Sequence, residues 1–162
     1  MGVDTFGAMR SVERTHELPE DALKDTLRRT RAGFHRAVAG MASAGNNVVV
    51  DYVLSEPWRL RDCLEVFDPF DVYFVGVYCS PEELVRRERE RGDRPEGLAV
   101  AQVETVHAHG MYDLEVDTTA ASTEECAAII VREYAKQQKG RAFETLAARA
   151  SMSEVSAAKG LE

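Results

Sequence analysis

The stretch from Asp71 to Arg94, DVYFVGVYCSPEELVRRERERGDR, constrains the fold more than any other part of the chain. Val72, Phe74, Val75 and Val77, with Tyr73 and Tyr78 between them, form an apolar run without polar alternation. Such a run suits a strand buried on both faces, as in a parallel sheet whose crossover helices cover it. Ser80, Pro81 and Glu83 then supply an N-cap, a proline for the first helical position and the glutamate of a capping box, which predicts a helix from Pro81. Glu82 and Glu83 stand four residues before Arg86 and Arg87, the favourable order for helical ion pairs. Arg87, Arg91 and Arg94 follow on either side of Gly92, where the helix can stop. Three guanidiniums just past the carboxyl end of a parallel strand make a clamp for a polyphosphate; the alternative is a solvated, salt-bridged helix.

The chain of 162 residues is long enough for one domain that buries roughly two thirds of its unfolded surface. Its net charge of -8 argues against nucleic acid or an anionic membrane as the main partner, although an anionic ligand can still bind where arginines gather. Cys63, Cys79 and Cys126 are odd in number and lack CxxC spacing, which reads as reduced thiols of a cytoplasmic protein with no metal site. No apolar run approaches the roughly 18 residues of a membrane span.

In chain order, Met1-Gly2-Val3-Asp4 reads as the last residues of a strand ending in an acid, and Thr5 to Glu17 as a polar loop. Pro19, Glu20 and Asp21 open a helix with Leu27, Phe34, Val38 and Met41 on its apolar stripe, ending near Gly45. His35 and Arg36 are expected on its exposed face. Asn47 to Asp51, NVVVD, is expected as a second strand apolar on both faces. In open α/β sheets ligands bind beyond the carboxyl ends of the strands, so Asp51 either holds a magnesium-bound water or caps the following turn. Ser55, Glu56 and Pro57 start a helix with Trp58, Leu60, Leu64 and Phe67 inward, ended by Asp68-Pro69. Gly97 to His109 is a short helix whose His107 and His109 are phosphate or metal contacts, or more simply surface residues. Tyr112 to Thr119, YDLEVDTT, is a strand, and Ser122 to Glu125 is a second capping box. Residues 1–137 form the α/β domain, and 138–162 a helical appendage.

Several of these segments resemble one family: GVDTF at Gly2 to Phe6, FHRAVAGMASAGNNVVVDYVL at Phe34 to Leu54, FVGVYCSPEELVRRERERGDRPEGLA at Phe74 to Ala99, and YDLEVDTT ending at Thr119. In this order they are similar to the chloramphenicol phosphotransferase-like family of P-loop kinases. The resemblance implies a three-layer α/β fold with a mostly parallel sheet, like that of nucleoside-monophosphate kinases. It implies transfer of the γ-phosphate of ATP, with Mg2+, to a hydroxyl of a small molecule such as a chloramphenicol-like antibiotic or a related metabolite. By the same resemblance Asp4 is the base for the acceptor hydroxyl. Arg87, Arg91 and Arg94 gather around the phosphates, Arg91 and Arg94 acting in catalysis. Thr118 and Thr119 lie near the adenine, and Asp51 beside the phosphate site.

The departure from the family is at the phosphate loop. Such kinases begin with a strand and a G-x-x-x-x-G-K-[ST] loop. The four lysines, Lys24, Lys136, Lys139 and Lys159, none preceded by glycine, leave this chain without that loop. The expectation is a protein short of its first strand and about thirty residues, for example through a wrongly placed start site or a fragmentary sequence. The alternative is a P-loop-less, non-catalytic binding or regulatory paralogue. Loss of a central strand exposes two edges, so the chain is expected to be poorly stable or to recruit a strand from elsewhere, as in a homo-oligomer.

Overall fold

A computed structural model describes residues 1–9, 17–92, 97–137 and 139–159. The chain divides into two compact units, Met1–Phe70 and Asp71–Glu162. It is of mixed α/β type. Among the described residues no helix is long and apolar enough to cross a membrane.

The first unit holds helices α1 (Val3–Ala8), α2 (Glu20–Ser43) and α3 (Pro57–Phe67). Helix α2 starts after Pro19 with Glu20 and Asp21 in its first turn, where carboxylates meet the positive end of the helix dipole. It stops because Gly45 takes the left-handed region at φ 86°, which glycine adopts without a Cβ clash. Phe34 (0% exposed), Val38, Cys63 and Leu64 form the core of this unit. Phe6 and Tyr52 pack against the Phe34 ring at centroid distances of 5.7 and 5.5 Å.

Two strand expectations change here. Gly2 does pair with Asp51 in parallel, and the Asp51 amide donates to the Met1 carbonyl at 2.9 Å, but this is a single bridge. The chain coils into α1 at Val3, so Asp4 lies in the first turn of a helix and not at a strand end. The segment 47–50 forms no ladder among the described residues, and Val49 is 88% exposed. Strand character is conferred by a partner, and an apolar run does not carry its partner with it.

His35 also departs from expectation: it is 1% exposed. Its Nδ1 lies 2.5 Å from Asp62 Oδ2, and Arg36, exposed as expected, reaches both oxygens of that carboxylate at 3.0 and 3.1 Å. Tyr52, Trp58 and Phe67 wall the ring. Burial lowers the His35 pKa and outweighs the opposing pull of Asp62. Burial thus favours the neutral imidazole, in which Nδ1–H donates to the carboxylate and Nε2 has no partner among the described residues.

The second unit contains β1 (Val75–Tyr78), α4 (Pro81–Arg91), α5 (Leu98–Val106), β2 (Leu114–Asp117), α6 (Thr123–Gln137) and α7 (Ala142–Lys159). The strands are parallel, with Val75 opposite Leu114 and Tyr78 opposite Asp117, and α4 and α5 make the crossover that parallel pairing requires. Gly76 is needed because a Cβ there would stand 2.7 Å from the Tyr112 ring. The strand is not buried on both faces: Val77 is 54% exposed, because β1 has only β2 beside it among the described residues.

Helix α4 starts at Pro81 as expected, with the Glu83 amide donating to Ser80 Oγ at 3.3 Å. Its capping box is half formed. The Glu83 carboxylate is held by Arg86 and Arg87, and the Ser80 amide donates instead to Thr119 Oγ1 at 2.9 Å. Helix α6 closes its box completely, with Ser122 N to Glu125 Oε2 at 2.8 Å and Glu125 N to Ser122 Oγ at 3.2 Å. Buried Glu88 accepts from the amides of Gly97 and Ala99 at 2.8 and 2.6 Å, which anchors the first turn of α5 to α4. His107 and His109 are half-buried in an aromatic cluster: His107 stacks on Tyr78 and bonds the Tyr112 hydroxyl at 2.6 Å, and His109 stacks on Phe74. Asp113 joins three backbone amides, those of Phe74, Arg141 and Ala142, at 2.8, 2.6 and 2.9 Å. It thereby ties the residue before β1 to the start of α7, whose Ala142 and Leu146 are buried.

Candidate functional site

In the first unit, the Gly2–Asp51 bridge fixes the point at which α1 leaves, and α1 runs against α2. Val3, Asp4, Gly7 and Ala8 fall on one face of α1, and Leu27, Thr30 and Arg31 on one face of α2. Together they line a cavity of about 280 Å³. Asp4, taken from the sequence as the proton acceptor, thus opens onto a cavity, and Asp51 belongs to the same unit through its backbone bridge.

Arg31 was not singled out from the sequence. It replaces an apolar residue in the stripe Leu27, Phe34, Val38, and that interruption was the available signal. The Arg31 guanidinium is half-buried, and its pKa is pulled down first by burial and then by the charge of Arg59, while Glu56, Tyr52 and Asp4 act the other way. It has no hydrogen-bond partner among the described residues. Arg59, 6% exposed, is already used: it donates to the Val53 carbonyl at 2.9 Å and pairs with Glu56. Burial works to raise the Glu56 pKa, but hydrogen bonds from Trp58 and Arg59 outweigh it and leave the carboxyl below its ordinary range.

In the second unit, the carboxyl ends of β1 and β2 bring Arg87, Thr118 and Thr119 together. Thr118 donates from its amide and hydroxyl to the Tyr78 carbonyl at 2.8 and 3.0 Å. Arg87 donates to Thr118 Oγ1 at 3.1 Å, to its carbonyl at 2.5 Å and to Glu83 at 2.7 Å. Arg86 and Arg87 hold the Glu83 carboxyl down to about 2. Thr119 donates from its hydroxyl and amide to Asp117, which lowers the Asp117 pKa. Arg91 is the exposed last residue of α4, followed by Gly92 in the left-handed region. Arg94 lies outside the described residues. Arg87 is therefore committed to the loop after β2. Among the described residues no group of three or more His, Cys, Asp or Glu is placed to hold a metal ion.

The family description "Chloramphenicol phosphotransferase-like protein" matches residues 1–135. The chain belongs to that family. It is also 38% identical over 115 residues to proteins named "Putative O-phosphotransferase" from two strains of Mycobacterium tuberculosis, an alignment covering 71% of this chain and 51% of each relative. The chain spans about half the length of the curated relatives it matches. The family match takes in both units up to residue 135, so the Asp4 cavity and the Arg87–Thr118–Thr119 cluster are family territory, and α7 follows it.

Proposed function

We propose that these residues belong to an O-phosphotransferase that moves the γ-phosphate of ATP, with magnesium, to a hydroxyl of a small molecule. Asp4 accepts the proton of that hydroxyl, and the cavity beside it receives the acceptor. Arg91 and Arg94 meet the phosphoryl group, and Arg87, Thr118, Thr119 and Asp51 shape the nucleotide end. Positioning and positive charge are what phosphoryl transfer requires of a protein, together with a carboxylate at the nucleophile. The 162 residues do not by themselves fit a triphosphate, since none of the four lysines follows a glycine and Arg87 is spent on internal acceptors. The reading therefore rests on a phosphate cradle that these residues do not themselves supply.

The observation that carries this reading is Asp4: a carboxylate lining a cavity, in a chain of this family. The test is an assay of ADP release and product mass with ATP, magnesium and a panel of hydroxylated compounds, chloramphenicol included. The enzyme is the protein translated with all sequence in frame upstream of Met1. An Asp4→Asn change should lower kcat by about 10²- to 10⁴-fold while ATP affinity stays within about twofold. Transfer that proceeds unchanged in the variant overturns the role of Asp4. A protein that binds neither ATP nor acceptor turns the reading toward a non-catalytic regulator.

A further inference from the structure

Asp4 and Arg31 line one cavity and attract each other electrostatically, yet they form no direct ion pair. Arg59, the neighbouring cation, is satisfied by Glu56 and by the Val53 carbonyl, so it repels Arg31 without sharing an acceptor with it. A half-buried guanidinium beside a like charge, with no acceptor of its own among the described residues, gains most from a bound oxyanion, which it can take in a two-pronged bond. Thr30, one residue before it on the same wall, gives its hydroxyl proton to the Thr26 carbonyl at 2.8 Å, so the donor for the anion is the guanidinium. The volume of about 280 Å³ lies just under the range of roughly 300–1,000 Å³ typical of drug-sized ligands. A volume at the lower edge of that range suits a small occupant.

Resting on the phosphotransferase reading, we propose that the acceptor is a small hydroxylated acid, its oxyanion group on Arg31 and its hydroxyl at Asp4. The guanidinium fixes one end of the molecule and thereby selects which hydroxyl faces the carboxylate. Arg31 is then a specificity-determining residue of the acceptor cavity.

The experiment titrates the 162-residue chain, followed by NMR, with three probes of one skeleton: glycerol, glycerate and glycerol 3-phosphate. At least one of the two anions should bind about tenfold or more tightly than glycerol. Arg31→Gln should weaken that anion by about ten- to hundredfold, the value of a charge-assisted hydrogen bond, and Arg31→Lys should recover part of it. The tighter anion identifies the oxyanion as a carboxylate or a phosphate ester. Equal binding of all three probes, no binding by either anion, or unchanged anion binding in Arg31→Gln overturns the proposal. Should the glutamine variant fail to fold, the preference of the unaltered chain for the anions over glycerol decides. Anion binding through Arg31 without phosphate transfer from ATP by the protein that includes the upstream sequence sinks the phosphotransferase reading and leaves the assignment of the cavity. Transfer to a neutral alcohol with kcat/KM unchanged in Arg31→Gln sinks the assignment and leaves the phosphotransferase.

Discussion

Replacing Asp113 by alanine should loosen α7 from the second unit by about 2–3 kcal/mol. The carboxylate accepts through Oδ1 the amide of Arg141, the residue before α7, and that of Ala142, the first of the helix, and through Oδ2 the Phe74 amide. It therefore serves as an N-cap supplied from the distant residue before β2. Loss of a cap costs about 0.5–2 kcal/mol, and an amide left without its acceptor costs about 1–3 kcal/mol more, the two overlapping in part. Residues 142–150, where Ala142 and Leu146 are buried, should then exchange their amide hydrogens about 30- to 150-fold faster, as read by mass spectrometry on peptides from this segment. Asp113→Asn should fall between: its single carbonyl can serve α7, but its NH2 group would then face the Phe74 N–H, and two donors cannot bond. Exchange in 142–150 that rises less than about threefold in the alanine variant would refute the idea that this carboxylate fastens α7.

The same joint can be tested sterically and the first unit by pH. A Cβ on Gly140 would stand 1.9 Å from the Val72 carbonyl oxygen and 2.5 Å from Asp113 Oδ2, so Gly140→Ala should cost about 1–3 kcal/mol and speed exchange in the same peptides. Exchange at the unaltered rate would show that the backbone yields without cost. His35 has a pKa lowered below 6.5 by burial, so the folded state binds its proton less readily than the unfolded chain. Its stabilising effect is fully present above pH 6.5 and is lost as the pH falls through the folded value; Asp62, also lowered, adds a second loss only below 3.8. The urea midpoint read by Trp58 fluorescence, whose ring lies 6.2 Å from His35, should fall between pH 6.5 and 5 and should fall less in His35→Gln. The comparison between the two chains is needed because burial lowers His107 and His109 in the same direction. Parallel pH curves for the two chains would contradict this assignment.

What could be read from the sequence was local. Pro81, Ser122, Gly92 and Gly45 act on amides and carbonyls within about four residues, and each begins or ends its helix as expected. What could not be read was the choice of a distant partner. His35 finds Asp62 across 27 residues, and Asp113 finds Arg141 across 28, with nothing in either neighbourhood to announce it. The valines at 48–50 show the same limit from the other side: the residues suit a strand, but only Asp51 of this segment is bridged. In the candidate site, Asp4 and the arginines of α4 were expectations carried by the family resemblance, whereas Arg31 was hidden because a charge in an apolar stripe reads as a defect of the stripe.

The two capping boxes show why even a local signal can divide. Glu83 and Glu125 occupy equivalent places after Ser80 and Ser122, and only Glu125 turns back to its serine amide. Glu83 has Arg86 and Arg87 three and four residues on, and a carboxylate gains more from a charge-assisted bond to a guanidinium than from a neutral amide. Glu125 has Ala128 and Ile129 in those places, so the amide is its best donor. The diversion at Glu83 has a structural consequence. It frees the Ser80 amide for Thr119 and sets Arg87 against Thr118, so that the ends of both parallel strands are held by the arginine helix. A glutamate lost to its own cap thus joins the loop after β2 to α4, and the geometry of the proposed nucleotide end depends on that competition.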